Sequence, residues 1–241
     1  MSVAVGGGWQ SAPVSSRRSA GRRLRWWGAP VLLALIGVVA LQWPQLTDPT
    51  PRYVVPAEEL AKARAELTVL AVKGRAPRTG YERSEFGDGW ADLDHNGCST
   101  REDILARDLT DRTLDGCRIA NGTLLDPYSG ATIAFVRGPD SAEVQIDHVV
   151  ALADAWQKGA QQWTPARRGE FANDPLNLLA VDGGVNQAKG AGDAATWLPP
   201  DRGYRCAYAI RQIAVKARYG LWVTAAEGDA LRRELSRCRT P

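Results

Sequence analysis

The sequence predicts an α+β fold: a small antiparallel sheet, a strand–strand–helix unit and surrounding helices, preceded by one membrane-spanning helix. Three observations predict it. Short β-like runs crowd together at 117–136 with turn residues between them. Two more apolar runs, at 144–149 and 178–181, precede a helical stretch that starts near Val185 or Asn186. Longer stretches at 58–73, 204–219 and 224–237 carry helical spacing or helix signals. With 241 residues, 44% hydrophobic and 24% charged, the chain can bury one core of ordinary size and carry appendages.

In chain order, residues 1–25 are rich in Gly, Ser and Arg and lack apolar periodicity, which predicts a disordered basic arm. Residues 26–43 are apolar and uncharged, with Trp26, Trp27 and Trp43 at the ends. Eighteen helical residues reach about 27 Å, enough to span a hydrocarbon core. Arginines before the span place the arm in the cytoplasm and everything after the span outside it. A cleaved signal peptide, cut after Val38-Val39-Ala40, is the competing reading. Four prolines make 44–56 a stiff linker. Pro56 and Glu58-Glu59 suit the start of a helix over 58–73, with Leu60, Ala63, Leu67 and Leu70 on one face.

Asp92, Asp94, Asn96 and Gly97 match the first half of a calcium loop, with Asp103 at the twelfth position. The other reading, which we prefer, is an Asx-rich turn leading into a capped helix over 100–109, with His95 a loop residue. Asn121-Gly122, between 117–120 and 123–125, reads as a hairpin turn. Residues 126–130 read as a turn and 132–137 as a strand, with Arg137 at its end either facing nucleic acid or solvated.

The four cysteines lie beyond the apolar segment and form no Cys-x-x-Cys pair, which argues against a zinc knuckle. They read as two disulfides formed in an oxidising space. Three pairings exist; Cys98–Cys117 and Cys206–Cys238 are expected because each brackets a local unit. The net charge of +3 neither supports nor excludes a nucleic-acid partner.

The densest chemistry lies between 145 and 189. Asp147-His148 closes an apolar run, Asn177 follows in Asn-Asp-Pro-Leu-Asn-Leu-Leu, and Asn186 and Lys189 share one helix face. A carboxylate and an amide oxygen suit a hard divalent cation, and a neutral imidazole beside them can take a proton from water. Helices over 151–158 and 167–171 fill the connection. In the helix over 204–219, Arg205, Arg211, Lys216 and Arg218 either track a phosphate backbone or are solvated. Thr224-Ala-Ala-Glu227 is a capping box for a last helix.

These residues resemble the HNH endonucleases, in the variant whose first letter is Asp and last letter is Asn. The wording Phe-Ala-Asn-Asp-Pro-Leu-Asn-Leu-Leu and Ala-Ala-Thr-Trp-Leu-Pro-Pro resembles an actinobacterial exported subgroup, related to the C-terminal nuclease domain of modification-dependent restriction enzymes. The likeness covers roughly 86–238, within an expected domain at 57–241. It implies a ββα-metal core, with His148 as general base and Asp147 and Asn186 as ligands of one Mg²⁺ or Mn²⁺. Asn177 would tie a loop to the backbone and so position His148, and Lys189 would hold a phosphate.

The expected function is metal-dependent hydrolysis of nucleic acid outside the cytoplasm, with DNA as the expected substrate and little sequence preference. The chain would be anchored by the span, or secreted if the span is cleaved. No obligate protein partner is visible. Two rivals remain: a non-catalytic wall- or partner-binding domain with Ca²⁺ at the Asp92 loop, and a toxin delivered to competing cells. A binding domain has no need of the Asp-His…Asn…Asn set, and no delivery domain is evident.

Overall fold

Residues 53–87 and 89–240 are described by the structure, a computed structural model. The basic arm, the apolar span and most of the linker lie outside the described residues. Among the described residues no helix is long and apolar enough to cross a membrane.

Helix α1 (Ala57–Val69) buries Leu60, Ala63 and Leu67. It stops four residues short of the expected end. Leu70 turns extended, and Val72 bridges Val223 in parallel. The Lys73 amide donates to the Val223 carbonyl and the Val223 amide to the Ala71 carbonyl, each at 3.0 Å, so an isolated bridge to a distant segment replaces the last helical turn.

Helix α2 (Thr100–Asp108) runs directly into β1 (Leu109–Asp115), which pairs with β2 (Arg118–Leu125), and β2 pairs with β3 (Thr132–Val136), all antiparallel. The sheet corrects the expectation for Asn121-Gly122, which lies inside β2. The hairpin instead turns at Gly116, whose φ is +60°. Gly122 answers a packing need. A Cβ there would meet Leu109 Cδ2 at 2.8 Å and Leu109 Cβ at 3.1 Å. Strand β1 was not expected, because after Leu109 it is exposed throughout and has no apolar alternation to read. Arg137 is engaged within the fold: its Nη2 donates to both Glu102 oxygens at 2.6 and 2.7 Å, and its Nε donates to the Ile119 carbonyl.

The second sheet is the ribbon β4 (Val144–His148) with β5 (Leu178–Asp182), antiparallel, with Asp147 opposite Leu179 and His148 opposite Leu178. Helices α3 (Leu152–Trp156) and α4 (Pro165–Asn173) fill the connection. Helix α5 (Gly183–Lys189) follows β5 without a gap, because Asp182 caps it by accepting from the Val185 amide at 2.8 Å. This is the strand–strand–helix order expected, with boundaries moved by one to three residues.

Helices α6 (Arg205–Tyr219) and α7 (Ala225–Ser236) close the fold on α1 through Ile213, Leu231 and Leu235. The Thr224–Glu227 capping box is formed. Both expected disulfides are present, Cys98–Cys117 and Cys206–Cys238, each with Cα atoms 5.4 Å apart. The first ties the loop before α2 to the β1–β2 turn.

Three of the four basic residues of α6, Arg205, Arg211 and Lys216, are engaged within the fold. Lys216 and Lys158 are fully buried among Asp154, Asp193 and Glu227, with N–O distances of 2.6–3.2 Å. Arg75 closes the group on Asp154 and Asp193. Three cations thus meet three carboxylates, so the burial leaves no net charge to be solvated. Arg205 donates to the Pro199 carbonyl, and Arg218 pairs with Asp174 at 3.4 Å. Neither expected alternative for these residues, a phosphate track or a solvated face, describes Arg205, Arg211 or Lys216.

Candidate active site

The end of β4 sets the site. Side chains leave a strand on alternate faces, so Asp147 and His148 point into different surroundings although adjacent. Asp147 turns toward α5 and Tyr128. The turn at 126–130 delivers Tyr128: Asp126 accepts from the Tyr128 and Ser129 amides, and Gly130, at φ +80°, closes back on the Asp126 carbonyl. The buried Tyr128 hydroxyl donates to Asp147 Oδ2 at 2.5 Å. Lys189 Nζ donates to Asp147 Oδ1 at 2.9 Å and to the His148 carbonyl at 2.8 Å. Burial raises the Asp147 carboxyl above its usual value, while the charge of Lys189 and the Tyr128 hydrogen bond work to keep it ionised.

His148 turns toward α4 and the loop before α2. Its Nε2 lies 2.8 Å from the Ala172 carbonyl. A carbonyl only accepts, so Nε2 carries the proton and Nδ1 is the basic nitrogen. Burial holds the imidazole well below its usual value, at about 3; the Ala172 carbonyl opposes this, and the charges of Arg83 and Lys189 add to it. The ring is therefore neutral at physiological pH.

Asn177 is fully buried just before β5. Its Oδ1 accepts from the Val150 amide at 2.8 Å, its Nδ2 donates to the Val150 carbonyl, and its own carbonyl accepts from Val149. It clamps the chain immediately after His148. Two guanidiniums hold the turn that carries it. Arg107 and Arg211 both donate to the carbonyls of Pro175 and Leu178. Asn186, on α5, donates from Nδ2 to Gln145 Oε1 at 3.0 Å, which leaves its Oδ1 as an acceptor.

Asp147, His148, Gln145 and Asn186 line one cleft of about 460 Å³, and Arg78, Arg83 and Arg101 stand around it. No salt bridge joins any of the three arginines to a carboxylate among the described residues. Lys189 does not line the cleft: its ammonium is fully buried and spent on Asp147 and His148, so a phosphate-holding role does not fit its position. Tyr128, Trp90, Arg83 and Arg101 are the site residues that sequence reasoning missed. Only the turn at 126–130 gave any signal for one of them.

Among the described residues no three His, Cys, Asp or Glu side chains cluster as a metal site. The oxygen donors at the cleft fit a weaker arrangement. The Asp147 carboxylate accepts from Tyr128, Lys189 and the His148 amide and still has lone-pair capacity, and Asn186 adds an amide oxygen, so two protein ligands could share a hard cation with water. At the other candidate, the Asp92 and Asp94 carboxylates bond the loop's own amides at Asn96 and Gly97, and Asn96 Nδ2 donates to Asp103. His95 is exposed, with φ +57°.

Residues 99–234 match the family described as the C-terminal domain of GmrSD restriction endonucleases. A protein of Arthroderma benhamiae described as an uncharacterized secreted protein is 39% identical over 209 residues, which cover 86% of this chain and 98% of that one.

Proposed function

Because the chain belongs to the family of GmrSD restriction-endonuclease C-terminal domains, we propose that it is a metal-dependent endonuclease hydrolysing phosphodiester bonds of nucleic acid, with DNA the expected substrate, outside the cytoplasm. The observation that carries the reading is the cleft itself. A neutral imidazole with its tautomer fixed stands beside a carboxylate and an amide oxygen, with three arginines around them that form no salt bridge among the described residues.

His148 is the general base: Nδ1 takes a proton from the attacking water while Nε2–H stays on the Ala172 carbonyl. Asn177 keeps the chain after His148 from shifting as the proton arrives. Asp147 and Asn186 are the residues that would hold Mg²⁺ or Mn²⁺, which when bound supplies positive charge to the phosphate and the departing oxygen. Lys189 and Tyr128 position Asp147. Arg83 and Arg101 hold phosphates of the substrate.

Placement outside the cytoplasm is supported by two disulfides, by the apolar segment at 26–43, and by the secreted description of the Arthroderma benhamiae relative. The anchored form is our reading; a mature N-terminus near Leu41 would replace it with a secreted form.

The test is incubation of the oxidised protein with supercoiled plasmid and with RNA, in magnesium, manganese or chelator. Cutting is expected with metal and is expected to fall at least about 100-fold in His148→Ala at unchanged circular dichroism. An active, folded His148→Ala protein would remove the base assignment. No cutting of any nucleic acid by the wild type would remove the nuclease reading.

A further inference from the structure

One wall of the cleft is unused by this mechanism. Trp90 is half-buried, and its indole lies beside the His148 imidazole with centroids 6.0 Å apart and planes within 9°. Rings so parallel at that separation are displaced from a direct face-to-face stack. The indole also packs against the core around Ile104 and Ile146, and its exposed part lines the cleft. Trp90 borders both the cleft and a smaller hollow shared with Arg83, Phe86, Leu152 and Ala172.

The position of this ring is fixed by its neighbours. The Ala91 amide donates to Asn173 Oδ1 at 3.0 Å, and the Ala91 carbonyl accepts from the Thr100 amide and hydroxyl. Asn173 follows Ala172, the residue whose carbonyl holds His148, so one end of α4 fixes both rings. A guanidinium, that of Arg78, lies over the Tyr81 ring at 4.8 Å on the same side of the molecule as the cleft it borders.

An aromatic ring that lines the cleft beside the His148 imidazole offers a stacking surface, and the two forms of nucleic acid differ in what they present to it. Bases inside a duplex stack on one another and present only their edges in the grooves. An unpaired base offers its π-face, which stacks on aromatic side chains whatever its identity. We propose that Trp90 is a nucleobase platform and that the cleft takes a single-stranded or locally unpaired segment. The base beside the scissile phosphate lies on the indole, and Arg83 and Arg101 hold the flanking phosphates. This rests on the nuclease reading of the same cleft and narrows its substrate.

The experiment measures binding and cutting separately on the full-length protein. Anisotropy titrations in chelator use a labelled single-stranded 12-mer and the same sequence as a duplex, with wild type, Trp90→Phe, Trp90→Ala and Arg83→Gln. The wild type is expected to bind the single strand more tightly at equal salt. Trp90→Ala is expected to weaken single-strand binding about 5- to 100-fold and to leave duplex binding unchanged. Trp90→Phe, which keeps an aromatic disc and guards against loss of fold, falls between. Arg83→Gln weakens both substrates alike and reduces the salt dependence. Wild type that prefers duplex, that binds neither form, or that loses nothing in Trp90→Ala overturns the platform. The same oligonucleotides are then offered with magnesium. Trp90-dependent single-strand binding without cutting would keep the platform and remove the nuclease.

Discussion

Asp147 has a hydrogen-bond donor on each carboxylate oxygen, and one of them is a buried ammonium. Removing Lys189 would leave a buried carboxylate with only neutral partners, the Tyr128 hydroxyl and the His148 amide. Lys189→Met is therefore expected to cost about 3–5 kcal/mol, read as the shift in a urea unfolding curve, although the residue never touches the cleft. A loss below 1 kcal/mol would mean that the carboxylate reaches water. His148 has its own signature. Its folded value is about 3 against an ordinary 6.5, so between those values the unfolded chain holds more protons than the folded one. Stability should fall as pH drops through that window, by up to about 1.4 kcal/mol per unit, and His148→Ala should flatten that slope in a series of melting curves. The order of Asp147, His148, Asn177 and Asn186 was legible because a single strand–strand–helix unit carries all four. Trp90, Tyr128 and Arg83 were not, because they reach the site from a loop, a turn and a single 3-10 turn whose spacing has no period. The burial of Lys189 was hidden for a different reason: a lysine on a short helix gives no sign of the carboxylate it will meet.

Among the elements, helices with apolar faces were legible to within a few residues, and so was the β4–β5 ribbon. The β1–β2 hairpin was misplaced because Gly122 has two explanations in sequence, a turn or a close approach, and only the packed Leu109 distinguishes them. Gly122→Ala should accordingly destabilise by about 1–3 kcal/mol through overpacking against Leu109. In the Leu109→Ala background the cost of Gly122→Ala should be smaller than in the wild type, and denaturant midpoints of the four proteins of that cycle would show it. Additive losses would place the strain elsewhere. The turn at Pro175–Leu178 is equally an element held from outside, since Arg107 comes from α2 and Arg211 from α6.

Over the whole domain, the network of Arg75, Lys158, Lys216, Asp154, Asp193 and Glu227 joins the segment after α1, the connection after α3, the loop after α5 and the last two helices. Lys158→Met is expected to cost about 3–5 kcal/mol, since the three carboxylates would be left with two cations. Chemical denaturation measures it, and a stabilised variant would show that the charges serve specificity instead. The disulfides close loops with sequence separations of 19 and 32 residues, so reduction should lower stability by about 3–4 kcal/mol for each, measured with and without reductant.

The contact of α1 with α6 and α7 also sets a timetable for biosynthesis. The first helix of the domain to be made buries Leu60 and Leu67 on Ile213, Leu231 and Leu235, so its apolar face stays uncovered until residues through Leu235 have emerged. Residues 100–189 carry both sheets and can collapse earlier, because their pairings are more local. A ribosome or translocon that stalls between those points would hold a nascent chain with both sheets paired and its outer helices unmatched. That is the interval in which a chaperone has most to protect.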